Sequence, residues 1–413
     1  MKPPAGAGRK RATSSLRVLI TNAFLRDWSG SELFVRDLAT ELINRGHKPV
    51  VYSPRIGELA DVLRQKSIPV VQDLDSTTIK PDLIHGQHHL ETMTALGHFP
   101  GTPAIFLCHG WLPWEEIPPL HPRIMRYVTV SDAVRDRLIY ECGIRETKIT
   151  TILNAADLER FRPRPALPRI PRRALVFNSQ INETNVLGIF REACARHGMS
   201  LEVMGYASGT PSIEPEARLG EYDIVFAHGR SALEALAVGT AVICCGLEGA
   251  GPMVSMQNLQ VLRRNNLAIR VHSKALTSDG LSAEIARYDP VEASRVCAEV
   301  RATAGLDGMV DEMLSIYAGA LSAWGKSREP SAADEGRAYS VYLKGISDAL
   351  DEARAGNRSA QARAMNLQAE LERVHGTVTW RVRQAAVRMP FVRAPLLGLR
   401  RLLRRAGSGQ GGR

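Results

Sequence analysis

The chain has 413 residues, of which 44% are hydrophobic and 23% are charged, a composition typical of globular proteins and a length sufficient for two domains. No run of about 18 apolar residues occurs, and the basic N-terminal segment lacks an apolar stretch. These features argue against a membrane span and a secretory signal and predict a cytoplasmic protein. Six cysteines without paired spacing argue against a disulfide framework or a structural zinc site, so we expect reduced, mostly buried thiols.

The net charge of +10 is concentrated at the two ends of the chain. Residues 376–413 contain nine Arg and no acid, and residues 1–17 contain five Lys or Arg and no acid, so the part between them carries a net charge of −4. A slightly acidic body with two basic ends argues against a basic groove for nucleic acid.

After a basic leader over residues 1–15, predicted to be disordered, the chain alternates buried strands and helices. Helices are predicted over residues 31–45, near 57–66, and from Ser131 onward. The predicted strands are "LRVLITN", "KPVVYS", "IPVVQD", "PDLIHG", "AIFLCHG" and "RYVTVS". This alternation predicts a parallel sheet with helices on both faces, and it assigns residues 16–160 to an N-terminal Rossmann-like domain.

A second run of strands and helices follows a segment rich in proline and arginine. Residues 161–173 are predicted to be an interdomain linker, because proline there breaks both helices and central strands. The strands predicted beyond it are "ALVFNSQ", "LEVMG", "YDIVFA", "TAVICC" and "LAIRV", with helices over 185–197, 229–238 and 281–323. Residues 174–323 are therefore a second doubly wound domain. A ligand cleft is expected between the carboxyl ends of the two sheets.

Residues 324–413 differ in kind from the two predicted domains. Residues 324–375 are predicted to form a linker and a long exposed helix, a candidate surface for a homodimer. Residues 376–413 alternate apolar residues with arginine and form short amphipathic pieces suited to an anionic membrane surface. The alternative for this basic tail is a solvated segment or a docking helix for a partner.

The segment "HGRSALEALAVGTAVI", residues 228–243, reads as a turn, a helix and a strand. Gly229 and the amides after it suit an anionic ligand at the start of a helix, and Arg230 adds a cation with bidentate geometry for phosphate. Glu234 has two interpretations. "SALE" fits a capping box, in which the glutamate binds the amide of Ser231; alternatively, Glu234 faces a ligand.

The same segment resembles the donor-binding motif of family 4 glycosyltransferases, retaining enzymes of the GT-B fold that use nucleotide-sugars. Further segments are similar to this family in order and spacing, over roughly residues 16–323: "SGSELFVRDLATELINRGHKPVV", "PDLIHGQ", "FLCHG", "VTVSDAVRDRL" and "ILNAADLERFRP". The resemblance implies that Glu234 contacts the nucleotide ribose and that His109 lies near the transferred sugar. The ending "GTVTWRVRQAAVRMP" is also similar to that of some bacterial surface-polysaccharide glycosyltransferases.

The resemblance extends the candidate donor site to several other positions. The candidate donor-binding residues are Gly30, Ser31, Asn154, Gly229, Arg230, Ser231, Glu234, Gly249 and Gly251. Gly249 and Gly251 lie in a glycine-rich turn, "GLEGAGPMVSMQN", for which the alternative is a plain loop. Two family features are missing: Phe226 stands where many members have a second glutamate, and "VFNSQINETN" lacks the usual Arg and Lys pair for the diphosphate. Arg230 is expected to compensate for that pair.

His85, His88 and His89 invite a metal interpretation, but adjacent histidines on an extended segment point in opposite directions and no carboxylate motif accompanies them. We therefore expect no metal and no cofactor. The predicted function is transfer of a sugar, hexosyltransferase-like, from a nucleotide-sugar to a saccharide or lipid-linked acceptor in surface polysaccharide synthesis. The alternatives are a catalytically silent GT-B domain that binds saccharide or acts as a scaffold, and a nucleotide-sugar epimerase, for which no paired carboxylates are evident.

Overall fold

A computed structural model describes residues 15–376, except for positions 27, 112, 213 and 269. The chain divides into two compact units, Met1–Ala338 and Tyr339–Arg413. The first unit contains two α/β sheets, and the described part of the second is helical. The predicted leader, up to residue 14, and the predicted amphipathic tail, from residue 377, lie outside the described residues.

The first sheet has seven strands, all parallel, in the order β3-β2-β1-β4-β5-β6-β7. Its strands are β1 (Arg17–Thr21), β2 (Lys48–Tyr52), β3 (Val70–Val71), β4 (Leu83–Gln87), β5 (Ala104–Cys108), β6 (Ile124–Thr129) and β7 (Ile149–Thr151). Its connecting helices are α1 (Gly30–Asn44), α2 (Glu58–Gln65), α3 (His89–His98) and α4 (Asp132–Tyr140). The parallel α/β prediction is confirmed, whereas β7 and α3 were not predicted.

Local sequence signals explain where these helices begin. The Ser131 hydroxyl accepts a hydrogen bond from the Val134 amide at 3.2 Å, so the predicted start of α4 is confirmed. Helix α1 begins one residue earlier than predicted, because Ser29 is its N-cap and the Glu32 carboxylate accepts the Ser29 amide hydrogen at 3.1 Å.

The second sheet has five strands in the order β12-β11-β10-β8-β9. Its strands are β8 (Arg173–Phe177), β9 (Ser200–Met204), β10 (Ile224–Ala227), β11 (Ala241–Gly246) and β12 (Gly249–Met253). The helices that follow β8 are α5 (Leu187–Arg196), α6 (Glu216–Leu219), α7 (Gly229–Val238), α8 (Leu259–Arg264), α9 (Ser278–Ile285) and α10 (Pro290–Thr303). Strands β8 to β11 are parallel, and β12 is antiparallel to β11.

Two sequence predictions in this half are wrong. The glycine-rich turn over residues 246–258 contains β12, which pairs with β11 through Gly246 and Gly249. The strand predicted at "LAIRV" is absent from its described residues 267, 268, 270 and 271, which form turns and a bend. Leu267 and Arg270 have φ values of 54° and 64°, and a left-handed backbone does not continue a strand.

Helix α11 (Leu306–Lys326) returns to the first sheet, although the sequence interpretation placed residues up to 323 in the second domain. Met309, Met313 and Tyr317 pack in the same core as the strands of the first sheet. The Tyr317 hydroxyl is 2.6 Å from Nδ1 of buried His85. The chain therefore crosses between the two sheets twice, before β8 and after α10.

Helix α12 (Ala332–Gly376) begins closer to α11 than predicted, because α11 continues to Lys326 and leaves a shorter linker. Glu335, in its first turn, forms an ion pair with buried Arg123 at 3.0 Å. None of the helices within residues 15–376 is long and apolar enough to cross a membrane. Five of the six cysteines are buried, as predicted, and Cys142 is half-buried.

Replacing Gly205 by alanine is expected to destabilise the fold by about 2 to 3 kcal/mol, because the added Cβ would lie 2.0 Å from the Asn178 carbonyl oxygen. The matched control is Gly319→Ala in the exposed middle of α11, where a Cβ meets nothing within 4 Å. That control should gain about 0.5 to 1 kcal/mol from helix propensity. Urea unfolding measures both, and equal free energies for the two variants would contradict the close approach at Gly205.

Candidate donor site between the two sheets

A narrow cleft lies between the two sheets at the carboxyl ends of β8 and β9. One side is formed by Trp28 and Leu33, at and just before the start of α1. The other side comes from the second sheet and its loops. The lining residues are Trp28, Leu33, Arg160, Phe177, Ser179, Met204, Gly205, Tyr206, Pro211, Ser212, Pro215 and Glu234. Since the carboxyl ends of parallel strands are the usual place for small ligands, this cleft is the candidate site.

Glu234 is a wall residue of this cleft and not a helix cap. Helix α7 begins at Gly229, after His228 as N-cap, so Glu234 is its sixth residue and lies beyond the reach of the first amides. The capping-box interpretation is therefore wrong. The Glu234 carboxylate accepts a hydrogen bond from Nε of Arg230 at 2.7 Å, and the residue is only 3% exposed.

Arg230 is held between two carboxylates and does not stand free at the helix terminus. Its guanidinium donates to Glu234 and to Asp37 of α1, in the other half of the protein. Asp37 also pairs with Arg36 at 2.6 Å. Burial opposes the charge on Arg230, but the two carboxylates outweigh it and raise the pKa of Arg230. Asp37 and Glu234 thus already neutralise Arg230, and its expected role in place of the Arg and Lys pair stays a prediction.

The start of α7 is also occupied in part by protein groups. Gly229 has φ +57° and its amide donates to the Leu267 carbonyl at 3.2 Å. Ser231, at the third position of α7, is half-buried. Of the amides at the predicted phosphate site, that of Gly229 is thus satisfied within the protein.

The other candidate donor residues lie at separate places around the two sheets. Gly30 and Ser31 form the first turn of α1, where Gly30 is exposed and has open space beside it. The Asn154 amide donates to Oδ1 of Asn266 at 2.7 Å, which joins the segment after β7 to the segment after α8.

Gly249 and Gly251 have a packing role in β12. A Cβ at Gly249 would lie 2.6 Å from the Lys274 carbonyl oxygen, and one at Gly251 would lie 2.7 Å from atoms of Val271. Both glycines are buried. The close approach of residues 271–274 therefore explains why glycine occupies these two positions, and their contact with a donor stays a prediction.

His109 lies at the end of β5 in a polar cluster that the sequence revealed only in part. Its Nε2 contacts Oε1 of Gln87, and its backbone amide donates to the Glu116 carboxylate at 2.7 Å. Its ring is 5.0 Å from that of Phe34. Burial lowers the pKa of His109 to about 3, helped by His88, so its imidazole is neutral near pH 7.

Gln87 and Glu116 were missed as functional candidates. Gln87 is fully buried, and its Nε2 has no hydrogen-bond partner among the described residues. Glu116 lies in a loop after β5 and is 4% exposed, with its carboxylate 3.7 Å from Nε2 of His88. Glu116 belongs to an acidic pair in "GWLPWEE", which resembles an ordinary exposed loop, so no local pattern indicated that it turns inward.

The three histidines weighed for a metal have separate environments. His85 contacts Tyr317, Nδ1 of His88 accepts the Ala23 amide hydrogen at 2.9 Å, and the His89 ring packs 4.2 Å from Trp114. Within the part of the chain that the structure describes, no three His, Cys, Asp or Glu side chains are grouped as metal ligands.

Glu116 is expected to make stability fall as pH rises. Burial raises the pKa of Glu116 from 4.5 to about 7. The hydrogen bond from the His109 amide lowers this pKa but does not offset the effect of burial. The folded state thus keeps a proton that the unfolded chain releases, and the stabilisation is complete below pH 4.5 and lost by about pH 7. Urea unfolding of wild type and Glu116→Gln should show the wild type losing about 2 to 3 kcal/mol relative to the variant between pH 4.5 and pH 8. A difference that is independent of pH would contradict the raised pKa.

A second polar cluster lies at the carboxyl ends of β8, β10 and β11. Oδ1 of Asn178 accepts the Gln180 amide hydrogen at 2.8 Å, so its Nδ2 faces Nδ1 of His228 at 3.2 Å. Nδ1 of His228 also lies 3.3 Å from the carbonyl oxygen of Cys245. The His272 ring lies 5.6 Å from that of His228, and its Nε2 is buried without a hydrogen-bond partner among the described residues.

Phe226 is part of the hydrophobic core and does not face the cleft. It is 1% exposed, and its ring packs edge-on against Phe190 of α5 at 5.2 Å. The position that carries a glutamate in many family 4 members thus supplies no polar group to the site.

The two α/β sheets with a cleft between them define the GT-B class of glycosyltransferase folds, so the predicted fold class is confirmed. A family model described as Glycosyltransferase Family 4 matches residues 28–160. A glycosyltransferase from Rickettsia africae ESF-5 is 15% identical, with a TM-score of 0.57, over 75% of this chain and 99% of that one. The chain is thus glycosyltransferase-like in fold and in its N-terminal sequence.

HepE from Anabaena, solved in complex with UDP and glucose, has the same fold. It is 15% identical, with a TM-score of 0.54, and the match covers 74% of this chain and 100% of that chain. A second structure of HepE contains UDP-glucose, with 14% identity and a TM-score of 0.53. Comparison with curated protein sequences finds no match.

Proposed function

We propose that the protein transfers a sugar from a nucleotide-sugar to a saccharide or lipid-linked acceptor. The observation that carries this proposal is Glu234, a buried carboxylate on the wall of a cleft with aromatic residues between two α/β sheets. UDP is the first nucleotide to test, because HepE, which has this fold, was solved with UDP and with UDP-glucose.

The cleft has apolar rings suited to the base of a nucleoside and a carboxylate suited to its ribose. Phe177, Tyr206 and Trp28 line it, and aromatic rings provide flat apolar surfaces for a base. The Glu234 carboxylate would accept hydrogen bonds from the ribose hydroxyls. These hydroxyls would compete for its oxygens with Nε–H of Arg230, which already donates to it. In this arrangement the nucleoside lies along the cleft and its phosphates point toward the start of α7.

His228 and Asn178 would bind the diphosphate in place of the missing Arg and Lys pair. His228 is the N-cap of α7, at the positive end of the helix dipole, and the Asn178 amide contacts its Nδ1 at 3.2 Å. Contact of the phosphates with Arg230 would require it to release Asp37, since its guanidinium is already paired on both sides.

The reaction would break the bond between the sugar anomeric carbon and the terminal phosphate oxygen. The acceptor hydroxyl forms the new bond and passes its proton to the departing phosphate oxygen, and a nucleoside diphosphate leaves with the electron pair. Neutral His109 and the Gln87 amide lie together at the carboxyl ends of β5 and β4, where they would hold the sugar or acceptor hydroxyls by hydrogen bonds. Retention of anomeric configuration and catalysis without a metal are both proposed from the family resemblance.

The acceptor is proposed to belong to cell-surface polysaccharide synthesis at the inner face of the membrane. Support comes from the nine arginines of residues 376–413, since each basic residue near an anionic surface contributes about 1 kcal/mol. Deleting these residues is expected to lower the fraction of protein that sediments with anionic vesicles, with neutral vesicles as the control. Equal binding of the shortened chain would rule out this role of the tail.

The rival function is a catalytically silent domain that binds saccharide or nucleotide. Two observations favour it: Phe226 is buried in the core, and Arg230 is already neutralised by Asp37 and Glu234. The two functions differ in turnover. Incubation with UDP-glucose and other UDP-sugars should release UDP, slowly with water and faster with a suitable acceptor. Nucleotide binding without any turnover would establish the silent domain and refute the transferase.

A further inference from the structure

The part of α12 from residue 343 to residue 367 carries a seven-residue repeat. Eight positions, alternately three and four residues apart, define it: Leu343, Ile346, Leu350, Ala353, Asn357, Ala360, Ala364 and Leu367. Seven of the eight are apolar, and the exception is Asn357 near the centre. Alternating steps of three and four place all of them along one stripe of the helix, and a repeat sustained over more than three heptads is typical of a coiled coil.

Most of the stripe is exposed in the described chain, and Ile346 is half-buried. Leu343 is 62% exposed, Leu350 48% and Leu367 56%. The opposite side of the helix carries charged residues, among them Lys344, Asp351 and Arg358. A helix of this length with an exposed apolar stripe and a charged outer face gains stability when the stripe is buried against a partner.

We propose that this stripe pairs with the same stripe of a second copy of the chain in a parallel two-stranded coiled coil. Asn357 is the residue that favours a second copy of this chain, in parallel orientation, as the partner. In a parallel, in-register pair the two Asn357 side chains meet and hydrogen-bond to each other, which fixes the register. An antiparallel pair would place Asn357 opposite alanine at position 353 or 360 and leave its amide unsatisfied.

The residues beside the stripe agree with parallel pairing. The flanking positions that meet in this arrangement are Ala349 with Arg354, Gly356 with Gln361, and Arg363 with Gln368. None of these pairs brings like charges together. The alanines at 353, 360 and 364 let the two helices approach closely, and the seam extends about 37 Å along the helix. The partner is thus another copy of this chain, and its binding does not depend on the donor site.

Sedimentation velocity of the full-length chain tests the pairing. Wild type should sediment as a dimer of the 45.3 kDa chain at micromolar concentration. Leu367→Asp should yield monomers, with the dissociation constant raised at least about tenfold, because it places a charge in the seam. The matched control is Met365→Asp, which lies two residues away and off the stripe, is 72% exposed and should stay dimeric. Monomeric wild type, or equal behaviour of the two variants, would overturn the proposal.

A cysteine at position 343 tests the direction of pairing. In a parallel, in-register pair the two copies of Leu343→Cys lie opposite each other, and mild oxidation should join them in a disulfide-linked dimer that reductant releases. Wild type treated with the same oxidant controls for the native cysteines. A variant that sediments as a dimer but forms no such disulfide would overturn the parallel arrangement.

Discussion

Glu234→Gln is expected to weaken nucleotide binding by about 10-fold to 150-fold. The carboxylate lies at 3% exposure on the cleft wall, and hydrogen bonds to a charged group contribute about 1.5 to 3 kcal/mol. Glutamine keeps the shape of the side chain and one oxygen that can accept the Arg230 Nε hydrogen. Titration calorimetry with UDP measures the change, and urea unfolding checks that the variant remains folded.

The control for Glu234 is Glu202→Gln, the same substitution at a carboxylate of β9 in the same half of the protein. Glu202 accepts a hydrogen bond from Tyr222 at 2.8 Å and does not line the cleft. Its replacement should leave UDP affinity within about twofold of wild type. If Glu234→Gln binds UDP as tightly as Glu202→Gln does, the proposed contact between Glu234 and the ribose is refuted. The similarity of fold to HepE would then give no support for a nucleotide bound at Glu234.

Arg230→Met is expected to cost about 3 to 5 kcal/mol of unfolding free energy at pH 7, because it leaves Asp37 and Glu234 buried without their shared cation. Arg36 still pairs with Asp37 at 2.6 Å, which places the expectation at the lower end of this range. In the wild type, burial disfavours the charged Asp37, but Arg230 and Arg36 lower its pKa. The deficit of the variant should therefore shrink as pH falls, since protonation removes the uncompensated charges.

Arg264→Met is the matched control for this network. Arg264 also forms an ion pair with an aspartate of the other half of the protein, Asp132, at 2.6 Å, but its side chain is 56% exposed. Exposed pairs contribute about 0 to 1 kcal/mol, so this variant should unfold almost as wild type does. Equal losses for the two arginine variants would show that the buried network does not stabilise the contact between the two halves.

The sequence predicted those parts of the fold that depend on local pattern. Runs of buried apolar residues predicted most strands of the two sheets, and the start of α4 was predicted from the capping side chain of Ser131. Strand β7 was missed because it has only three residues, Ile149–Thr151, which are not fully buried. Strand β12 was missed because its glycines, needed for close approach to residues 271–274, resemble a turn.

The parts of the site that could not be predicted depend on distant residues. Asp37, the partner of Arg230, lies 193 positions away in sequence, so nothing near Arg230 indicated that its charge is already neutralised. The capping interpretation of Glu234 failed for a different reason. Gly229 adopts a left-handed φ and begins the helix two residues before Ser231, so the S-x-x-E pattern falls inside the helix and not at its start. Glu116 turns inward through contacts that no periodicity shows.

Titration of the full-length protein with UDP, GDP, ADP and dTDP tests the central claim most directly. If the cleft is a nucleotide-sugar donor site, at least one nucleoside diphosphate will bind at one site per chain with a dissociation constant of about 1 mM or lower, and Glu234→Gln will weaken that same nucleotide. If all four fail to bind at millimolar concentration, the donor site is refuted whatever the fold resembles.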